Sequence, residues 1–312
     1  MTTAGINSTT LTVPRALVVG NQKGGVGKSS VASAVADLAS SQGLHVLVLD
    51  ADPQGNLTED LGIEEDNNDK GASLAITMQF GHPLTVKSGV RENLDLVCGG
   101  YHLSGITAMA ATMPGGASLM YANLSAALLD LYSSGGYDLI VLDSPPGESV
   151  ILEGLLQVAS YLVIPTKTDK RSLKGVELIA SRYIHARRAG AQVRFLGMVL
   201  FAVNPRATVR NRAKFQEIEA MLGESGSPFR STIRHDAALA EDTREFGVTP
   251  RELVHIAEDS KKSRLKDLKN KGASKARKVP VWSRDPSKVA GDYEQLTNEI
   301  MARINAAEGE SR

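Results

Sequence analysis

The chain is poor in cysteine, aromatic residues and histidine, and it has neither net charge nor a long apolar run; each shortage removes a class of function. A single cysteine, Cys98, among 312 residues excludes an intrachain disulfide framework and a cysteine-built zinc site. It is read as a small hydrophobe in the strand-like stretch 94–98. His45, His82, His102, His185, His235 and His255 are scattered without ligand spacing, so no transition-metal site is expected. No apolar run approaches the ~20 residues that a membrane span needs, and residues 1–14 are polar rather than signal-like. The expected location is the cytoplasm.

What is present is ordinary in bulk and uneven in detail. Hydrophobic residues make up 42% and charged residues 22%, enough to build the core of one large α/β domain or two small ones. Thirty-five basic residues balance 35 acidic ones, but residues 261–278 hold nine Lys or Arg and one acid, Asp267. That segment carries +8 and the rest of the chain −8. A neutral chain with one basic segment points to a polyanion contact localised there.

Apolar runs at 16–19, 46–50, 94–98, 139–143, 162–165 and 195–202 alternate with helix patterns at 28–41, 118–133, 150–158, 171–189 and 209–222. This alternation predicts a doubly wound, mostly parallel sheet with helices on both faces, binding its ligand at the carboxyl ends of the strands. Residues 58–71, rich in Asp, Glu and Asn, read as a solvated loop. The division expected is a disordered tail over 1–14, a nucleotide-binding domain over 15–255, a flexible basic insertion over 256–288, and a helix over 289–306 docked on the domain. Tyr293, Leu296, Ile300 and Ile304 form one stripe of that helix, and Asp292, Glu294 and Glu299 make its polar side acidic. With about fourteen residues before the first strand, no N-terminal helix-turn-helix domain is expected.

Three strings carry the chemistry. Lys23-Gly24-Gly25-Val26-Gly27-Lys28-Ser29-Ser30 lies between the first strand and the first helix, the context of a phosphate-binding loop. Its glycines let backbone N–H groups face phosphate oxygens, and the helix N-terminus adds partial positive charge. Lys28 can reach the β- and γ-phosphates, and the Ser29 hydroxyl can ligate Mg²⁺. Gln22 stands where the common pattern has its first glycine, and Lys23 is an additional lysine. After the second strand come Asp50-Ala51-Asp52-Pro53-Gln54-Gly55-Asn56. Phosphoryl transfer to water needs a group that orients the water and a metal that absorbs developing charge. Asp52 is the candidate for the first role, and Asp50 for supporting it or the metal. The third string, Asp143-Ser144-Pro145-Pro146-Gly147, ends an apolar strand with an acid suited to hold Mg²⁺ through water.

Together these strings resemble the ParA/MinD superfamily of deviant phosphate-loop ATPases, and most closely its ParA branch of plasmid and chromosome partition ATPases. The resemblance extends over most of the chain, with further blocks at 197–206, 233–247 and 285–300. It implies an ATPase using ATP and Mg²⁺, slow alone and stimulated by a ParB-like centromere-binding or other activating protein. It implies that ATP drives a sandwich homodimer in which Lys23 reaches the partner's ATP, and that Asp52 helps activate water. It places Asn204 and Pro205 at the adenine base. It also implies nucleoid association, since ATP-bound dimers bind double-stranded DNA without sequence preference, with Arg206 at a DNA-contacting position. A second basic position of the family is Ala238 here, and the segment containing the lysine cluster is an insertion. Lys261, Lys262, Arg264 and Lys266 are therefore the expected DNA contacts, with a solvated lysine-rich loop as the alternative. A positioning ATPase for another cargo, such as a protein compartment or chemoreceptor cluster, shares all these features and stays open. A MinD-like membrane ATPase calls for a basic amphipathic C-terminal helix, and an iron–sulfur carrier for more than one cysteine.

Overall fold

The computed structural model describes residues 12–63, 66, 68–147, 149–222, 227–269 and 285–310. Seven strands form its sheet: β1 (Ala16–Val19), β2 (Val46–Asp50), β3 (Lys87–Arg91), β4 (Leu94–Val97), β5 (Leu139–Asp143), β6 (Tyr161–Thr166) and β7 (Arg194–Leu200). Their order is β3-β4-β2-β5-β1-β6-β7, parallel throughout except for the antiparallel edge strand β3. β1, β2, β4, β5 and β6 are buried at every position, which is why they read as largely apolar runs rather than alternating ones, with Asp95 of β4 buried against the Tyr137 hydroxyl.

Eleven helices connect and cover the strands among the described residues: α1 (Lys28–Ser41), α2 (Asn56–Asp60), α3 (Ala72–Phe80), α4 (Ile106–Thr112), α5 (Gly116–Gly135), α6 (Val150–Val158), α7 (Lys170–Arg188), α8 (Thr208–Leu222), α9 (Ala237–Phe246), α10 (Pro250–Lys269) and α11 (Ser287–Gly309). Successive strand residues face opposite ways, so the core divides into two layers. Val18, Leu47, Leu49, Ile140 and Leu142 join the layer under α3 to α7, while Leu17, Val19, Val46, Val48 and Val141 join the layer under α1 and α11. The fold is the doubly wound, mostly parallel one that the sequence predicts. No described helix is long and apolar enough to cross a membrane.

Three expectations change. The tail expected over 1–14 does not extend to Val13, which is fully buried and donates its N–H to the Val158 carbonyl at 2.8 Å. The stretch 58–71 is not wholly a solvated loop: α2 takes up its first residues, and Thr58 is fully buried because its hydroxyl and N–H donate to Asp50. The basic insertion does not open as a loop at residue 256, because α10 runs unbroken from Pro250 to Lys269. Its first turns are fixed by burial of Leu253 and Ala257 and by ion pairs of Arg251 with Asp37 and of Arg91 with Glu252. Lys271, Lys275, Arg277 and Lys278 lie outside the described residues.

α11 packs its apolar stripe, Val289, Tyr293, Leu296, Ile300 and Ile304, against the α1 layer. Each such side chain contributes about 2 kcal/mol of gross burial energy, more than an exposed ion pair supplies. Of the acids on its other side, Glu294 is exposed, whereas Asp292 and Glu299 are anchors. Asp292 accepts a forked pair from Arg234 at 2.6 and 2.5 Å, and Glu299 accepts the N–H groups of Arg230 and Ser231, each at 3.0 Å.

Candidate functional site

The phosphate loop leaves β1 and is braced from behind. Asn21 donates its amide to the Pro165 carbonyl at 2.8 Å and accepts the Lys23 N–H at 2.9 Å. Val26 is fully buried, while Gly25 and Gly27 take left-handed φ values of 69° and 93°. A β-carbon is disfavoured in that region, and the turn presents the first N–H groups of α1 outward. Lys28 reaches back over the loop, its Nζ 3.4 Å from the Lys23 carbonyl. Burial lowers the Lys28 pKa, and the nearby Asp143 and Asp52 charges oppose that shift.

Lys23 is held within its own chain. Its ammonium donates to Asp169 at 3.0 Å and to the Ser172 hydroxyl at 2.7 Å, both at the start of α7. Asp169 is a typical helix cap, accepting the Ser172 N–H, and the Asp-x-x-Ser spacing signals that much from sequence. Its pairing with Lys23 has no local signal.

The strand-end acids divide their work. Asp50 accepts the Thr58 hydroxyl at 2.8 Å, the Thr58 N–H at 2.9 Å and the Asp52 N–H at 3.1 Å, so the chain itself takes up its carboxylate. Burial raises its pKa to about 6 against these bonds. Asp52 accepts the Gln54 N–H at 2.9 Å and faces the cleft with 4% exposure. Asp143, beside Asp50 in the β2–β5 register, is fully buried and neither carboxyl oxygen has a hydrogen-bond partner. Burial and the Asp50 charge push its pKa well up, while Ser29 and Lys28 pull it back.

An unpartnered buried carboxylate beside a serine hydroxyl and a lysine is an expensive arrangement unless a cation completes it. Mg²⁺ fits this donor set: it takes one or two protein ligands, water and phosphate oxygens rather than an all-protein cage. Among the described residues no group of three His, Cys, Asp or Glu could hold a metal alone.

Around the loop opens a cleft of about 470 Å³. Gly24, Gly25, Gly27, Lys28, Ser29, Ser30 and Asp52 line it, and so do residues from distant segments, including Lys167, Phe201, Ile233, Leu239, Val289 and Tyr293. The sequence reading missed this second group, because no local pattern links β7, α9 and α11. Asn204, Pro205 and Arg206 are exposed and are not among the residues lining the cleft. Asn204 turns its oxygen onto the Arg206 N–H at 3.0 Å and its carbonyl accepts from Asn211 at 2.8 Å, so it holds its own turn. Lys261, Lys262, Arg264 and Lys266 fall within α10, and Lys262 is exposed beside Asp259.

A family model described as an AAA domain matches residues 14–189, more than half of the chain. The chromosome-partitioning ATPase Soj of Thermus thermophilus is 31% identical over 238 residues, covering 75% of this chain and 86% of that protein. The chain belongs to the ParA/Soj family of partition ATPases. Another member, the chromosome partitioning protein ParA of Caulobacter vibrioides, is 28% identical over 165 residues, covering 52% of this chain and 59% of that one. In fold, this ParA-family chain is also similar to an ATP complex of a McdA variant from Cyanothece. The TM-score is 0.62 at 24% identity, over 78% of this chain and 91% of that one.

Proposed function

We propose that this ParA-family protein is an ATP-dependent partition ATPase whose ATP-bound homodimer holds non-specific double-stranded DNA. Hydrolysis, stimulated by a ParB-like partner, releases the DNA and so moves a plasmid or chromosome. The observation that carries this reading is the buried, unpartnered Asp143 carboxylate behind Lys28 and Ser29, a donor suited to the metal of a metal–nucleotide complex.

In this reading the N–H groups of 24–29 cradle the phosphates and Lys28 balances the β- and γ-phosphate charge. Ser29 and Asp143 hold Mg²⁺, with Asp50 supporting the site through the Asp52 turn. Mg²⁺ supplies charge neutralisation on the phosphate oxygens. Asp52, fixed by the Gln54 N–H, orients the attacking water. Lys23 leaves Asp169 to meet the partner's ATP. Arg206 and the α10 residues Lys261, Lys262, Arg264 and Lys266 face DNA phosphates, Arg206 being exposed and the others following a helix rooted in the ATPase domain.

The test is ATP turnover with and without Mg²⁺, plasmid DNA and the product of the neighbouring gene, alongside DNA binding in ATP and in ADP. Mg²⁺-dependent turnover and ATP-dependent DNA retention are expected. DNA binding that ignores the nucleotide would overturn the reading.

A further inference from the structure

The cleft that receives the nucleotide contains an aromatic ring of the chain itself. A β-carbon built on Gly27 would lie 2.6 Å from Cγ of Phe201, with two further ring carbons closer still. The ring is thus pressed against the bare face of the glycine that opens α1. Phosphate loops use glycine at such positions so that ligand oxygens can approach the backbone. An aromatic ring on that face competes with them for the same space.

The placement follows from the end of β7. The Phe201 N–H donates to the Thr166 carbonyl at 2.7 Å, which fixes the backbone at the carboxyl edge of the sheet. The chain then turns at Ala202 with φ of 56°, a left-handed conformation that non-glycine residues seldom adopt. The ring is half-buried, and the Lys167 ammonium stands 6.0 Å from its centroid. With the backbone held, side-chain rotation is the motion that clears Gly27.

We propose that Phe201 controls nucleotide access: its ring occupies the seat over Gly27 in the free protein, and ATP binds by displacing it. The proposal rests on the ATP reading of the cleft. Apparent affinity is then reduced by the fraction of molecules whose ring has already swung aside. Lys28 and Ser29 already line the cleft, and the ring's obstruction is confined to the face of Gly27.

Equilibrium and stopped-flow binding of a fluorescent ATP analogue with Mg²⁺ decides the matter. Phe201→Ala is expected to tighten binding about fivefold and to speed association, with Phe201→Leu between it and the wild type. Unchanged or weaker binding by a folded Phe201→Ala protein would overturn the proposal, and weaker binding would make the ring a stacking platform instead. A Phe201→Trp protein carrying Trp282→Phe reads displacement directly: an emission change is expected on adding ATP, and constant emission in a variant that binds ATP counts against displacement. A wild-type chain that binds no ATP at all would sink the ATP reading and this proposal with it.

Discussion

Lys23 Nζ lies 3.0 Å from Asp169 Oδ1, so the additional lysine of the phosphate loop is neutralised by its own α7. The Ser172 hydroxyl and the lysine together hold the Asp169 carboxyl well below the usual carboxylate range. If Lys23 serves a partner's nucleotide, this pair must open first. Asp169→Ala should therefore lower the ATP or protein concentration needed for dimerisation, by up to about fivefold for a largely exposed pair. Light scattering across an ATP titration measures it; an unshifted dimerisation curve would show that the pair holds nothing back.

Asp52 and the two lysines should separate turnover from assembly. Asp52→Ala is expected to lower ATP hydrolysis at least about a hundredfold while preserving ATP-dependent DNA binding. Lys28→Ala and Lys23→Ala should each abolish DNA binding. Normal hydrolysis by Asp52→Ala would move the water-orienting role elsewhere.

The basic half of α10 predicts a salt dependence. Replacing Lys261, Lys262, Arg264 and Lys266 by Ala should weaken ATP-dependent DNA binding. It should also flatten its log–log salt slope by roughly 0.9 for each DNA phosphate that is no longer neutralised. Fluorescence anisotropy at several salt concentrations tests this, and an unchanged slope would return the segment to a solvated role.

Asp37 of α1 is fully buried and meets Arg251 at 2.6 and 2.9 Å and the Thr249 hydroxyl at 2.8 Å. Arg251→Met strands that carboxylate and should cost about 3 kcal/mol in urea unfolding. Adding Asp37→Asn should recover part of the loss. A double variant as unstable as the single one would assign the cost to packing instead.

Asp60, on the cleft wall, is pushed up to about 6 from 3.8 by burial, with Arg244 pulling against the shift. Between these values the folded chain binds more protons than the unfolded one, so this group lowers stability as pH rises from about 4 to 6. Asp60→Asn should thus stabilise the protein by up to about 3 kcal/mol at pH near 7.5 and by almost nothing below pH near 4. Denaturant melts across that range check it, and a gain independent of pH would rule out titration as its source.

The legible parts of this fold are those written locally. β1, β2 and β5 are readable to the residue because burial on both faces leaves uninterrupted apolar runs. β3, Lys87–Arg91, has no such run and exists by pairing with β4 at the sheet edge. α10 is obscured by its lysines, since Leu253 and Ala257 are the buried hydrophobic side chains among its described residues and its root is set by partners on α1 and β3. In the site, the glycine loop and strand-end acids announce themselves by spacing. Phe201, Ile233 and Tyr293 meet only after three remote segments fold together, and no spacing encodes that meeting.

Val289 and Tyr293 of α11 line the same cleft as Lys28, more than 250 residues earlier in the chain. A growing polypeptide therefore makes its phosphate loop well before the wall that faces it. The cleft is complete only once α11 has packed against α1, so its assembly waits on a helix made long after the loop itself.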